Sequence, residues 1–88
     1  MLTFDNDEAG YLQWIEKNST GYVINTPKRS GDFPDMLHRA NCRHISRGTY
    51  TNYTTTDFKK LCSLNKQEML AWGQVSSPDF RMCKVCNP

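Results

Sequence analysis

His38-Arg39-Ala40-Asn41-Cys42, in the middle of the chain, and Cys83-Lys84-Val85-Cys86, near its end, are the two stretches whose reading decides the fold. They have the spacings H-x3-C and C-x2-C. One imidazole and three thiols make the donor set of a tetrahedral structural zinc site. Each short pair can close on one ion from a single turn. Because 40 residues separate the pairs, a shared ion would tie the middle of the domain to its C-terminal stretch. The expected ligands are therefore His38, Cys42, Cys83 and Cys86, and the expected cofactor is zinc. Other assignments stay open at this level. Cys62 can replace His38 in an all-cysteine site, although a small buried hydrophobe is its better reading. His44 can replace His38, but its two-residue spacing from Cys42 is awkward. Two disulfides, or a redox C-x2-C, are further options, yet a redox pair usually sits in a βαβ pattern that is missing here.

Length and composition favour such a staple. A chain of 88 residues is one domain, residues 1–88, with 38% hydrophobic residues and a mean hydropathy of −0.70. A core this small is marginal by area alone, and small domains often add a metal or disulfides. Four Tyr, four Phe and two Trp argue against a disordered chain. No run approaches the ~18 apolar residues of a membrane span. The opening Met1-Leu-Thr-Phe-Asp5 lacks a basic segment and an apolar segment, so it does not read as a secretory signal. A cytoplasmic protein is expected, in which cysteines bind metal rather than form disulfides. In that setting the N-x-T sequons at Asn18 and Asn52 are chance matches.

Local patterns predict an α+β fold: two helices on a short antiparallel sheet of about three strands. Asn6 or Asp7 caps a helix running to about Asn18, with Tyr11, Leu12, Trp14 and Ile15 on its apolar face. Tyr22 to Asn25, Met36 to His38 and Phe58 to Cys62 read as strands, the second delivering His38 to the metal. Cys42 to Ile45 reads as a tight turn or short helix, and 46–56 as a polar loop or ragged hairpin. Asn65 caps a second helix, with Glu68 completing a capping box and a Leu64–Met69 staple. Met69, Leu70 and Trp72 form its buried face, and Gly73 ends it.

The segment Leu37-His-Arg-Ala-Asn-Cys-Arg-His-Ile45, followed by a strand, a helix and Phe80-Arg-Met-Cys-Lys-Val-Cys-Asn-Pro88, resembles the small metal-binding module of Ada-type DNA-repair proteins. That module pairs C-x3-C with a late Phe-Arg-Pro-Cys-Lys-x-Cys stretch. The resemblance covers roughly residues 36–88 and implies the fold and the zinc. In the family, the first cysteine of C-x3-C is a zinc-bound thiolate that accepts a methyl group from a DNA phosphotriester. His38 stands at that position here, and an imidazole does not serve as that thiolate, so metal binding carries over and the repair chemistry does not. The whole chain also resembles uncharacterised bacterial domains with a His-Arg-x-x-Cys motif and a terminal C-x2-C.

The net charge of +2 divides unevenly: residues 1–20 carry −3 and residues 21–88 carry +5. Closing the zinc site would gather Arg39 and Arg43 with Arg81 and Lys84. Arg47, Lys59 and Lys60, with Lys28 and Arg29 beyond them, extend a basic surface suited to phosphates. Tyr50 and Tyr53 are placed to stack on unpaired bases. The expectation is a nucleic-acid-binding module, DNA before RNA, acting as a monomer without catalysis of its own. Four protein ligands would close the zinc to water, and no Gly-rich phosphate loop or H-E-x-x-H is present. The alternative is a protein-interaction or structural accessory domain using the acidic face of the first helix.

Overall fold

The computed structural model describes residues 1–29, 33–46 and 52–88, without the side chains of residues 44 and 46. Strand β1 (Leu2–Phe4) leads into helix α1 (Glu8–Lys17), followed by β2 (Tyr22–Pro27), β3 (Met36–Arg39) and the one-turn α2 (Arg43–Ser46). The chain then continues through β4 (Phe58–Ser63), α3 (Lys66–Ser76) and β5 (Arg81–Met82). The strands form one sheet in the order β1-β4-β2-β3-β5. All pairs are antiparallel except β3 with β5, which run parallel. The fold is α+β as expected, but the sheet has five strands and is mixed. The two extra strands are three and two residues long, too short to show a period.

The two long helices, α1 and α3, start where their caps predict. Asp7 accepts the Gly10 N–H at 2.9 Å, and Asn65 accepts the Glu68 N–H at 3.2 Å; both satisfy donors that a helix start leaves bare. The capping box is half made, because Ser63 Oγ takes the Asn65 N–H at 3.0 Å while the Glu68 carboxylate pairs with the Met1 amine at 3.0 Å. Leu64 is 63% exposed, so the expected staple does not close. Helix α3 also runs past Gly73. A side chain there would meet the Phe80 ring, since a Cβ on Gly73 would lie 2.5 Å from it. Glycine at this position serves close packing, not termination.

Both faces of the sheet are covered. Val23 and Ile24 are adjacent and both buried, as are Leu61 and Cys62, so successive side chains enter two different cores. On one face Tyr11 and Ile15 of α1 and Ile45 of α2 pack with Val23, Ala40, Cys42, Tyr53, Cys62 and Cys83. On the other, Met69 of α3 packs on Ile24, Leu37 and Leu61, with Leu70, Trp72 and Phe80 around them. Leu12, placed on the buried face of α1 by its spacing, is instead 42% exposed; Tyr11 and Ile15, four apart, define the stripe that the sheet covers.

Several buried polar groups on the α1 face are answered, although among the described residues Glu8 Oε2 has no hydrogen-bond partner. Tyr11 Oη donates to the Ile45 carbonyl at 2.8 Å. Glu8 accepts both the N–H and the hydroxyl of Thr54, and Thr54 Oγ1 takes the Asp7 N–H at 2.9 Å. These bonds tie the start of α1 to the chain just before β4.

Candidate metal centre

The centre is built where β3 and β5 end side by side. On β3, His38 stands opposite Val23 of β2, and Val23 also stands opposite Cys62. The imidazole is therefore buried on the α1 face. After Arg39 the chain turns sharply: the Ala40 N–H donates to the Gly21 carbonyl at 2.9 Å and the Cys42 N–H to the Arg39 carbonyl at 3.0 Å. This turn places Cys42 just ahead of α2. The parallel strand β5 brings in the second pair, with the Cys83 N–H held by the Leu37 carbonyl at 2.9 Å. The Asn87 N–H then closes back on the Cys83 carbonyl at 3.1 Å. Asn87 lies in the left-handed region at φ 48°, a conformation that asparagine tolerates.

His38, Cys42, Cys83 and Cys86 each offer one donor atom, and the four atoms lie within 4.8 Å of one another. Cys42 Sγ and Cys83 Sγ are 4.0 Å apart. Zinc–sulfur bonds of ~2.3 Å at a tetrahedral angle put sulfurs ~3.8 Å apart, so this edge already has the right length. The four residues are thus close enough to hold a metal ion. Cys62 is outside the group; it is fully buried in the α1-side core, and burial pushes its thiol up to about 12. The His44 side chain lies outside the described residues.

The surrounding backbone is arranged for thiolate. Burial raises the Cys83 thiol, but the N–H groups of Cys86 and Val85 and the neighbouring thiols of Cys86 and Cys42 outweigh it, and the net shift is downward. The Arg39 N–H reaches Cys86 Sγ at 3.3 Å. Arg39 Nε donates to the Cys86 carbonyl and Nη2 to the Asn87 carbonyl, both at 2.9 Å. A residue read from the sequence as a phosphate contact therefore clamps the C-terminal knuckle. Its position directly after a ligand was the available signal.

The other residues expected to bind nucleic acid divide three ways. Arg43, Arg81 and Lys84 are exposed on the segments that meet at the centre. Lys59 is half-buried on β4. Lys60 and Tyr53 face inward. Lys60 is 3% exposed, its Nζ donating to Asn25 Oδ1 and, at 2.8 Å, to the Tyr53 carbonyl. Tyr53 is buried with its ring 5.6 Å from Tyr11. Two adjacent lysines on a strand must point to opposite faces, and both faces of β4 are covered, so one lysine is driven inside. Lys28 and Arg29 are taken by carboxylates, Asp5 at 2.8 Å and Asp57 at 3.5 Å. Arg47 and Tyr50 lie outside the described residues.

Among the described residues, no helix is long and apolar enough to cross a membrane. Comparison of the chain with protein-family models, curated proteins and solved structures finds no match.

Proposed function

We propose that the four donors hold one structural zinc ion and that the domain so closed binds nucleic acid, DNA before RNA, as a monomer without catalytic activity of its own. The convergence of three sulfurs and one imidazole on a single point supports zinc over harder cations, which prefer oxygen. Four protein donors fill a tetrahedral ion and leave no position for a reacting water. In this reading the chain works in the cytoplasm, where thiols stay reduced. The Ada-type resemblance supports the metal, and His38 at the methyl-accepting position keeps repair chemistry out of the proposal.

The observation that carries the binding role is the exposure of Arg43, Arg81 and Lys84 on the segments that carry the four donors. Among the described residues none of the three pairs with a carboxylate. Exposed cations without a carboxylate partner suit a phosphate backbone. The rival reading, a protein partner on α1, draws on Leu12, an exposed apolar residue one turn from exposed Glu16.

Elemental analysis and a binding titration test the proposal. Protein purified without added metal is expected to carry one zinc per chain, lost in His38→Ala and kept in Cys62→Ala. Reversal of Arg43, Arg81 and Lys84 to Glu is expected to abolish DNA binding while the fold and zinc remain. In partial reversals the salt slope should fall by roughly 0.9 for each duplex phosphate that is no longer neutralised. A reversed protein that keeps full DNA affinity would sink the nucleic-acid reading. A protein partner that dissociates only on changing Leu12 and Glu16 would establish the rival.

A further inference from the structure

We infer that the nucleic acid taken by this surface is single-stranded, with an unstacked base seated in the groove beside the metal centre. This inference rests on the nucleic-acid reading above and narrows it. The groove has a volume of about 700 Å³ and is lined by Met36, Arg81, Met82, Cys83, Lys84 and Val85. That volume is within the usual range of ligand sites. It lies along β5, the edge strand of the sheet, and among the described residues no further strand covers it. Met82 and Val85 stand 39% and 45% exposed there.

The chemistry of the lining selects the occupant. Two thioethers and an isopropyl group form an apolar floor, and thioether sulfur contacts aromatic rings favourably. The Arg81 guanidinium can stack on a ring or grip a phosphate, and Lys84 adds a compact positive charge. Among the described residues no carboxylate lines the groove. A flat aromatic ring attached to an anion satisfies all of these groups together, and a nucleotide has that form. In a duplex the faces of the bases are covered by their neighbours, whereas a single strand can turn a base outward. Tyr53, which the sequence offered as a stacking ring, is buried and does not present a ring face to a base.

The test uses the zinc-loaded full chain, a labelled short oligonucleotide of mixed sequence, and the same strand annealed to its complement. Fluorescence anisotropy is followed at two salt concentrations. The single strand is expected to bind at least about tenfold more tightly than the duplex, and Met82→Ala to weaken it by about two- to tenfold, in line with the loss of one sulfur–ring contact. Met82→Ala should leave the salt slope unchanged, whereas Lys84→Glu should weaken both ligands and flatten the slope. Zinc content and circular dichroism establish that each variant is folded. Equal or tighter duplex binding, or an unchanged single-strand affinity in Met82→Ala, overturns the inference while leaving the cationic rim in place. Failure of both oligonucleotides to bind removes the parent reading and the inference together. Capture of an acidic, leucine-containing peptide in their absence would assign the groove to a protein.

Discussion

Lys60 shows how much one residue can set. Its ammonium lies 5.6–6.0 Å from the ring centres of Tyr11, Tyr53 and Phe58, an arrangement that partly offsets desolvation. Burial still lowers its pKa from 10.5 to about 8, against an opposing pull from Glu8 and Cys62. A lysine with a lowered folded pKa penalises the fold while charged, and the penalty fades as pH rises from about 8 towards 10.5. Cys62 acts in the opposite sense. Raised from 9.0 to about 12, it contributes stability that is complete below pH 9 and is lost on the way to 12. Urea midpoints against pH should therefore rise above pH 8, level off from about 9 as the two effects cancel, and fall above about 10, where burial has also raised the Tyr11 phenol. Lys60→Met should abolish the rise, worth at most about 3 kcal/mol, and Cys62→Ala should reduce the later fall. Gly73 gives a second test. Alanine in an open helix interior gains ~1 kcal/mol over glycine, but here it meets the Phe80 ring, so Gly73→Ala should cost about 1–3 kcal/mol by urea denaturation.

At the scale of elements, the two helix caps and three strands were legible because each signal is local: a side-chain oxygen three residues ahead of an N–H, or a short β-prone run. Strands β1 and β5 were not. Leu2–Phe4 and Arg81–Met82 exist because β4 and β3 offer them an edge, and the partner residues are remote in sequence. The missed β5 matters most, since it runs parallel to β3 and so delivers Cys83 beside His38. Arg39 locks that arrangement through the carbonyls of Cys86 and Asn87. Groups that orient metal ligands are typically worth 10–100-fold in metal affinity. Arg39→Met should thus weaken zinc retention by about tenfold in competition with a chelator, while Arg43→Met, on an exposed residue of α2, should leave it unchanged.

Across the whole molecule, the four-donor cluster belongs to one half of a divided interior. Cys42 and Cys83 are members of the core between α1 and the sheet, whereas the core under α3 contains no ligand. A structural zinc binds with roughly 10–16 kcal/mol, comparable to the 5–15 kcal/mol stability of a whole domain. Stripping the metal is expected to loosen the α1 side first. Trp14 packs on that core and Trp72 on the other, so each reports one face. In single-tryptophan variants titrated with a chelator, Trp14 emission should shift to the red at lower chelator concentration than Trp72 emission. Coincident shifts would mean that the sheet transmits the loss to both faces at once.

The sequence by itself marked the H-x3-C and C-x2-C pairs, the caps of both long helices and the central strands, because donor chemistry, capping and β propensity act over a few residues, while the exclusion of Cys62 from the cluster came from the packing. Tertiary structure decided the rest. It set the mixed sheet, the separate cores on its two faces and the inward turn of Lys60 and Tyr53, and it bonded Arg39 to the carbonyls of the knuckle. Each of those outcomes depends on which remote segment covers a given face, and coverage is a property of the packed chain that no short stretch of residues carries.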